Sequence, residues 1–209
     1  MSVLNIKTYI VGCIETNMYL IHNRKTGIII DPGFTENEAD SLIKKIKGLA
    51  YEIPMVILTH CHFDHISGCA NLKKEFKSEI YCHRLDEEKL LDPQKSGAIF
   101  FGLSGNPLKP DGYLEDGQVI EINGNTLKII HTPGHTSGGI SVLLNDRYLF
   151  SGDTIFKDGI GRTDLYDGDY DMEIASIKSK ILTLPEGVVI YPGHGPATTV
   201  KDERKNFLF

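Results

Sequence analysis

The segment Thr59-His60-Cys61-His62-Phe63-Asp64-His65 constrains this chain more than any other. Three imidazoles and a carboxylate crowd together directly after the apolar run Pro54-Met55-Val56-Ile57-Leu58, which reads as a short strand buried on both faces. Four such groups packed together would cost on the order of several kcal/mol of desolvation without a partner. A cation supplies that partner. In an extended loop His60 and His62 share one side and Cys61 faces the other, so the histidines read as a clasp and Cys61 as a structural thiol. Asp64 and His65, at the turn into the next helix, can aim at a second cation. The competing reading is a solvated histidine-rich loop.

Three more candidates follow the ends of apolar strands, each beside a glycine that permits close backbone approach: His135 in Thr132-Pro133-Gly134-His135, Asp153 in Ser151-Gly152-Asp153, and His194 in Pro192-Gly193-His194-Gly195. Each alone also reads as an ordinary loop residue. Together, five of the eight histidines and two aspartates give seven candidate ligands: His60, His62, Asp64, His65, His135, Asp153 and His194. Seven are too many for one tetrahedral ion and suit two divalent ions that share a carboxylate. Imidazole with carboxylate favours zinc, iron or manganese over calcium, and zinc is expected first. Asp31, after another buried strand, is expected to hold the ligand loop through hydrogen bonds. His22 and His131 read as ordinary strand residues, and His83 as one at the start of a helix.

The remaining pattern alternates strands with helices. Strands are expected at Ile6–Val11, Asn17–His22, Gly27–Ile30, Ile80–Cys82, Val119–Ile122, Leu127–Ile130, Ile140–Leu144, Tyr148–Phe150 and Val188–Ile190, with a tight turn at Asn145-Asp146. Apolar spacing predicts helices over Glu36–Leu49, from a cap at Ser67 to Phe76, and over Asp169–Leu184, the last with Met172 on its apolar face. Lys201–Asn206 reads as a polar tail. Between Asp92 and Gly112 the pattern dissolves around Ile99-Phe100-Phe101 and Leu103, expected to pack onto the core, with a lid or a subunit contact as alternatives. The layering is α/β on mixed sheets in one domain over 1–209.

Composition excludes several classes. Of 209 residues, 41% are hydrophobic and 24% charged, which opposes disorder. No apolar run approaches the roughly 18 residues of a membrane span, and Met1–Lys7 resembles no secretory signal. A net charge of −6 without basic clusters weighs against nucleic acid. Four cysteines without a C-x-x-C pair suit reduced thiols and a cytoplasmic location.

The run His60-Cys61-His62-Phe63-Asp64-His65 resembles the H-x-H-x-D-H motif of the metallo-β-lactamase superfamily, and the likeness extends from Ile30-Asp31-Pro32-Gly33 to Tyr191-Pro192-Gly193-His194-Gly195-Pro196. The resemblance implies an αβ/βα sandwich, one ion on His60, His62 and His135, a second on Asp64, His65 and His194, and Asp153 between them. Within the superfamily, Gly159-Ile160-Gly161-Arg162-Thr163-Asp164-Leu165 resembles the glyoxalase II group, which implies contact of Arg162 with glutathione. A structural ion pair of Arg162 with Asp164 or Asp167 is the alternative. The helical C-terminal glutathione-binding domain of full-length glyoxalase II is not expected here. The implied activity is hydrolysis of a small-molecule thioester of the S-2-hydroxyacylglutathione type by a metal-bridging hydroxide, with Asp64 catalytic. Alternatives are a mononuclear-iron persulfide dioxygenase and a lactonase. A diiron redox module would carry Glu where His62 stands, and a ribonuclease a basic groove.

Overall fold

Every residue of the strand Thr16–His22 is buried, and its alternation explains why. Met18 and Leu20 join a cluster with the helix residues Leu42, Ile46 and Leu72, whereas Tyr19 and Ile21 join one with Ile129, Val142 and Phe150 of another sheet. A sheet apolar on both faces needs cover on both, supplied here by helices on one side and a second sheet on the other. The computed structural model describes residues 4–23, 25–50, 52–122 and 124–207.

The first sheet contains, in spatial order, β1 (Asn5–Val11), β2 (Thr16–His22), β3 (Thr26–Ile30), β4 (Glu52–Ile57), β5 (Glu79–Cys82) and β6 (Gly112–Tyr113). Its first three strands are antiparallel, and β3 to β6 are parallel. β7 (Val119–Ile122), β8 (Asn125–His131), β9 (Ile140–Leu144) and β10 (Tyr148–Gly152) form an antiparallel meander. A ribbon of β11 (Ile155–Phe156) and β12 (Gly159–Ile160) leads away before β13 (Val189–Pro192) returns parallel to β10 and pairs with β14 (Thr198–Thr199). The second sheet is therefore ordered β14-β13-β10-β9-β8-β7.

Helices α1 (Glu36–Lys47) and α3 (Cys69–Phe76) cover the first sheet, with the short α2 (Phe63–Ile66) before α3 and α4 (Glu87–Leu91) after β5. On the second sheet, α5 (Tyr170–Ser176), the π-helical turn Ile177–Ile181 and α6 (Val200–Arg204) place Ile177, Ile181 and Val200 on Leu143, Leu149 and Ile190. The four layers form the expected αβ/βα sandwich. Among the described residues no helix is long and apolar enough to cross a membrane.

Several local expectations need correction. Ser67 does not cap α3: its hydroxyl donates to the Phe63 carbonyl, and the cap falls at Gly68, where a Cβ would lie 2.3 Å from the Phe34 ring. Ile99 and Phe100 do not pack onto the core, being 56% and 77% exposed, and Phe101, 54% exposed, meets it through the Phe63 ring, 4.5 Å away between centroids. Gly97 and Gly102 both take left-handed backbone, which turns the segment outward and leaves Ala98 as its buried residue. Met172 is exposed as well, because α5 faces the 133–135 loop and turns Glu173 and Ser176 inward. The tail is helix α6, capped by Thr199 and anchored by buried Val200 and by Glu203, which accepts from Thr198 Oγ1. The turn at Asn145-Asp146 forms as expected, with φ of 50° and 54°.

Candidate metal centre

All seven candidate ligands meet at one edge of the sandwich. β4 delivers His60 and His62 in the loop beyond Ile57, α2 presents Asp64 and His65, and the loops after β8, β10 and β13 bring His135, Asp153 and His194. Two groups result. His135 Nε2 lies 2.9 Å from His62 Nδ1 and 3.2 Å from His60 Nε2. Asp64 Oδ2 lies 3.1 Å from His65 Nε2 and 3.2 Å from His194 Nε2. Asp153 spans them, with Oδ2 3.7 Å from His135 Nε2 and 3.5 Å from His194 Nε2, and Oδ1 3.4 Å from His65 Nε2.

The protons are assigned by the partners behind the rings. His135 Nδ1 lies 2.7 Å from the Arg162 carbonyl, which can only accept, so Nε2 keeps its lone pair toward the centre. Asp31 Oδ2 likewise accepts from His65 Nδ1 at 2.9 Å, while the carboxylates of Asp64 and Asp153 face its Nε2. His60 Nδ1 donates to Thr59 Oγ1 at 3.2 Å, and that hydroxyl donates to Asp31 Oδ2 at 2.6 Å. The lone pairs of His60 and His135 therefore face each other 3.2 Å apart in a buried space, an arrangement that repels itself until a cation enters. His65 Nε2 and Asp153 Oδ1 are buried and make no hydrogen bond, although close to each other, because both aim at a common point. These orphaned atoms and the donor set fit divalent metal ions. Asp31 also falls within ligand distance of His60 and His65, but its oxygens are occupied by Thr59 and His65 Nδ1, consistent with the holding role read from the sequence.

Burial, aided by the neighbouring His65 charge, pushes the His60 imidazole well below its usual range, and burial with His135 takes His62 down to about 3. Burial opposes the same charge at His65, but Asp64 and Asp153 outweigh it and hold His65 well above its ordinary value. Burial works against a charged His194, but the hydrogen bond it donates to Asp64 raises its pKa. Burial works against ionised Asp64 and Asp153, yet His65 keeps both below the ordinary carboxylate range. Cys61 faces away into the helix-side core with Cys69 and Cys82, where burial pushes its thiol up. His83 caps the turn after β5 as expected, and its ring stacks on His131.

Arg162 has a divided role. Its carbonyl orients His135, while its exposed guanidinium forms a two-pronged pair with Asp164 at 2.7 and 2.9 Å. Asp167 instead accepts from Lys89 and Ser137. Several supporting residues carried no signal in the sequence. Thr16 Oγ1 donates to Asp64 Oδ2 at 2.9 Å, and Asn17 Nδ2 donates to the carbonyls of Pro192 and Gly195 on either side of His194. Glu173 Oε2 accepts from the His135 N–H, and burial pushes its carboxyl up to about 8. Asp31, after its buried strand, was the supporting residue that the sequence did expose.

The chain is similar to proteins that share this centre's frame. Hydroxyacylglutathione hydrolase GloC of Haemophilus influenzae is 35% identical over 99% of this chain and 98% of its own length. A solved structure of BLEG-1 B3 metallo-beta-lactamase superposes with a TM-score of 0.85 at 35% identity, over 96% of this chain and 97% of that one. TTHA1623 in a di-iron-bound form superposes with a TM-score of 0.81 at 31% identity, over 96% and 98%. The family model described as "Metallo-beta-lactamase superfamily" matches residues 11–194, from the end of β1 to the last candidate ligand. With the sandwich and the histidine–aspartate centre, these likenesses establish that the chain belongs to the metallo-beta-lactamase superfamily.

Proposed function

We propose that the protein is a binuclear metal-dependent hydrolase of thioesters of the S-2-hydroxyacylglutathione type, with zinc as the expected metal. The observation that carries this reading is the pair of three-residue groups joined by Asp153. Divalent ions held there would lower the pKa of water from 15.7 toward about 7 and would polarise a carbonyl oxygen. His60, His62 and His135 would hold one ion and Asp64, His65 and His194 the other, with Asp153 between them. Asp64, fixed by Thr16, accepts a hydrogen bond from the attacking water and orients it toward the thioester carbon. Cys61 takes no part, since its thiol is buried in the helix-side core. Arg162 is the candidate for a carboxylate of the thiol moiety, exchanging Asp164 for substrate. The likeness to GloC supports the thioester over other substrates.

The test joins metal analysis to a substrate panel. Two ions per chain and hydrolysis of S-lactoylglutathione, abolished by a chelator and restored by metal, are expected. A single ion at saturation, unaffected by Asp64→Ala or His65→Ala, would refute the binuclear reading. Turnover of only a β-lactam or a lactone would move the substrate class, and oxygen uptake with glutathione persulfide would replace hydrolysis by dioxygenation.

A further inference from the structure

Asp86 lies outside both ligand groups, yet it is fully buried, and three of the four bonds made to its carboxylate come from the segments that carry His60, His62 and His135. Its Oδ2 accepts from the Cys61 N–H at 2.7 Å, between His60 and His62, and from Thr136 Oγ1 at 3.1 Å, next to His135. Its Oδ1 accepts from the Gly138 N–H at 2.9 Å and from Lys89 Nζ at 3.0 Å. The approach at Gly138 is so close that a Cβ there would lie 2.5 Å from Oδ1. Lys89, equally buried, continues to Asp167 Oδ2 at 2.6 Å, which also accepts from Ser137 Oγ. Asp167 belongs to the loop whose Arg162 carbonyl holds His135 Nδ1.

We propose that Asp86 is the positioning residue of the His60–His62–His135 group, a buried clamp that ties the loop after β4 to the loop after β8 and so sets the spacing of three imidazoles. The physical reason is the separation of those loops in sequence: the histidines come from different sheets, and the bonds to one rigid carboxylate fix their backbones relative to each other. Lys89 supplies the counter-charge that lets an ionised carboxylate remain inside. The Asp64–His65–His194 group receives none of these bonds, being held by Thr16, Asp31 and Asn17. Asp86 therefore acts selectively, on one ion and not on the other. An asparagine in its place keeps the shape but turns an N–H₂ toward backbone donors that need an acceptor.

This inference rests on reading the two groups as ion sites, and the test separates the two ideas. Metal-stripped protein is titrated with zinc against a competing chelator, with His60→Ala and His194→Ala marking which binding step belongs to which group. Asp86→Asn is expected to weaken binding at the His60 group by about 10–100-fold and to leave the His194 step unchanged. Thr136→Val, which removes a single bond and keeps the shape, is expected to give a smaller loss at the same step, and decides the matter if Asp86→Asn does not fold. Leu42→Ala, in the helix-side core, lowers stability without altering either step. Absence of any ion in the unaltered protein would defeat the reading of the sites. Two ions in the unaltered protein, with equal weakening of both steps or of neither in Asp86→Asn and Thr136→Val, would overturn the role of Asp86.

Discussion

Asp31 Oδ2 lies 2.9 Å from His65 Nδ1, and the same carboxylate reaches His60 through the Thr59 hydroxyl. One buried acid thus orients a candidate ligand in each group. Asp31→Ala is expected to weaken both metal-binding steps by about 10–100-fold in a zinc titration. Asp31→Asn is expected to lose less, because φ at this position is 52°, a left-handed conformation that asparagine tolerates and alanine resists. Equal loss in the two variants would remove the backbone from the explanation.

The protons held by the metal-free centre divide unequally. His65 and His194 are raised by their carboxylate neighbours against the effect of burial, whereas burial keeps His60 and His62 neutral. Loading the Asp64–His65–His194 group must expel protons, so its affinity is expected to rise with pH by about tenfold per unit for each proton released, until the raised pKa values are passed. His60 and His62 release none, and the pH dependence should concentrate in the His194 step. Titrations at pH 6, 7 and 8 check this, and equal slopes for the two steps would contradict it.

Gly193 is required by its neighbour. A Cβ there would lie 2.0 Å from Asp153 Oδ1 and 2.8 Å from the His65 ring, so Gly193→Ala must push the shared carboxylate aside. Binding of both ions is expected to fall, by at least about tenfold each. Metal analysis after dialysis reads this directly, and retention of two tightly held ions would show that the loop yields without cost.

The Arg162–Asp164 pair offers a two-sided test of thiol recognition. Arg162→Ala is expected to raise KM for S-lactoylglutathione about tenfold at constant kcat, and to leave the lactoyl thioester of a neutral thiol unchanged. Asp164→Ala frees the guanidinium and should lower KM for the glutathione thioester about two- to fivefold, the range set by the small worth of an exposed ion pair. Steady-state kinetics on both thioesters decides it. Equal effects on the two substrates would make the pair purely structural.

The legible parts of the sequence were those where one residue type has few alternative uses. Buried strands announced themselves as apolar runs, and His60, His62, Asp64 and His65 stood out because so many metal-competent side chains crowd directly after such a run. Asp86 and Thr16 were invisible, since a carboxylate or hydroxyl that serves a backbone N–H or a distant acid looks the same in sequence as one that meets water. Glu173 was hidden on a helix whose apolar face reads through Met172, whereas the helix turns Glu173 to the 133–135 loop. The exposed Ile99 and Phe100 show the converse: apolar character predicts burial only where the backbone can turn inward, and two left-handed glycines turn it away.

The pairing of β2 with the loop of His194 has a consequence for how the centre comes into being. Thr16 bridges His194, the Asn17 N–H donates to Gly193 O at 2.7 Å, and Tyr19 Oη donates to Pro192 O at 2.5 Å. The last ligand is thus seated by the second strand of the chain, a closure over most of the polypeptide and the kind of contact that folding reaches late. The emerging chain on the ribosome carries His60, His62, Asp64 and His65 long before it can supply His194. Capture of an ion by the Asp64–His65–His194 group would await the meeting of Thr16 with the His194 loop, and its uptake during refolding would serve as a clock for that step of assembly.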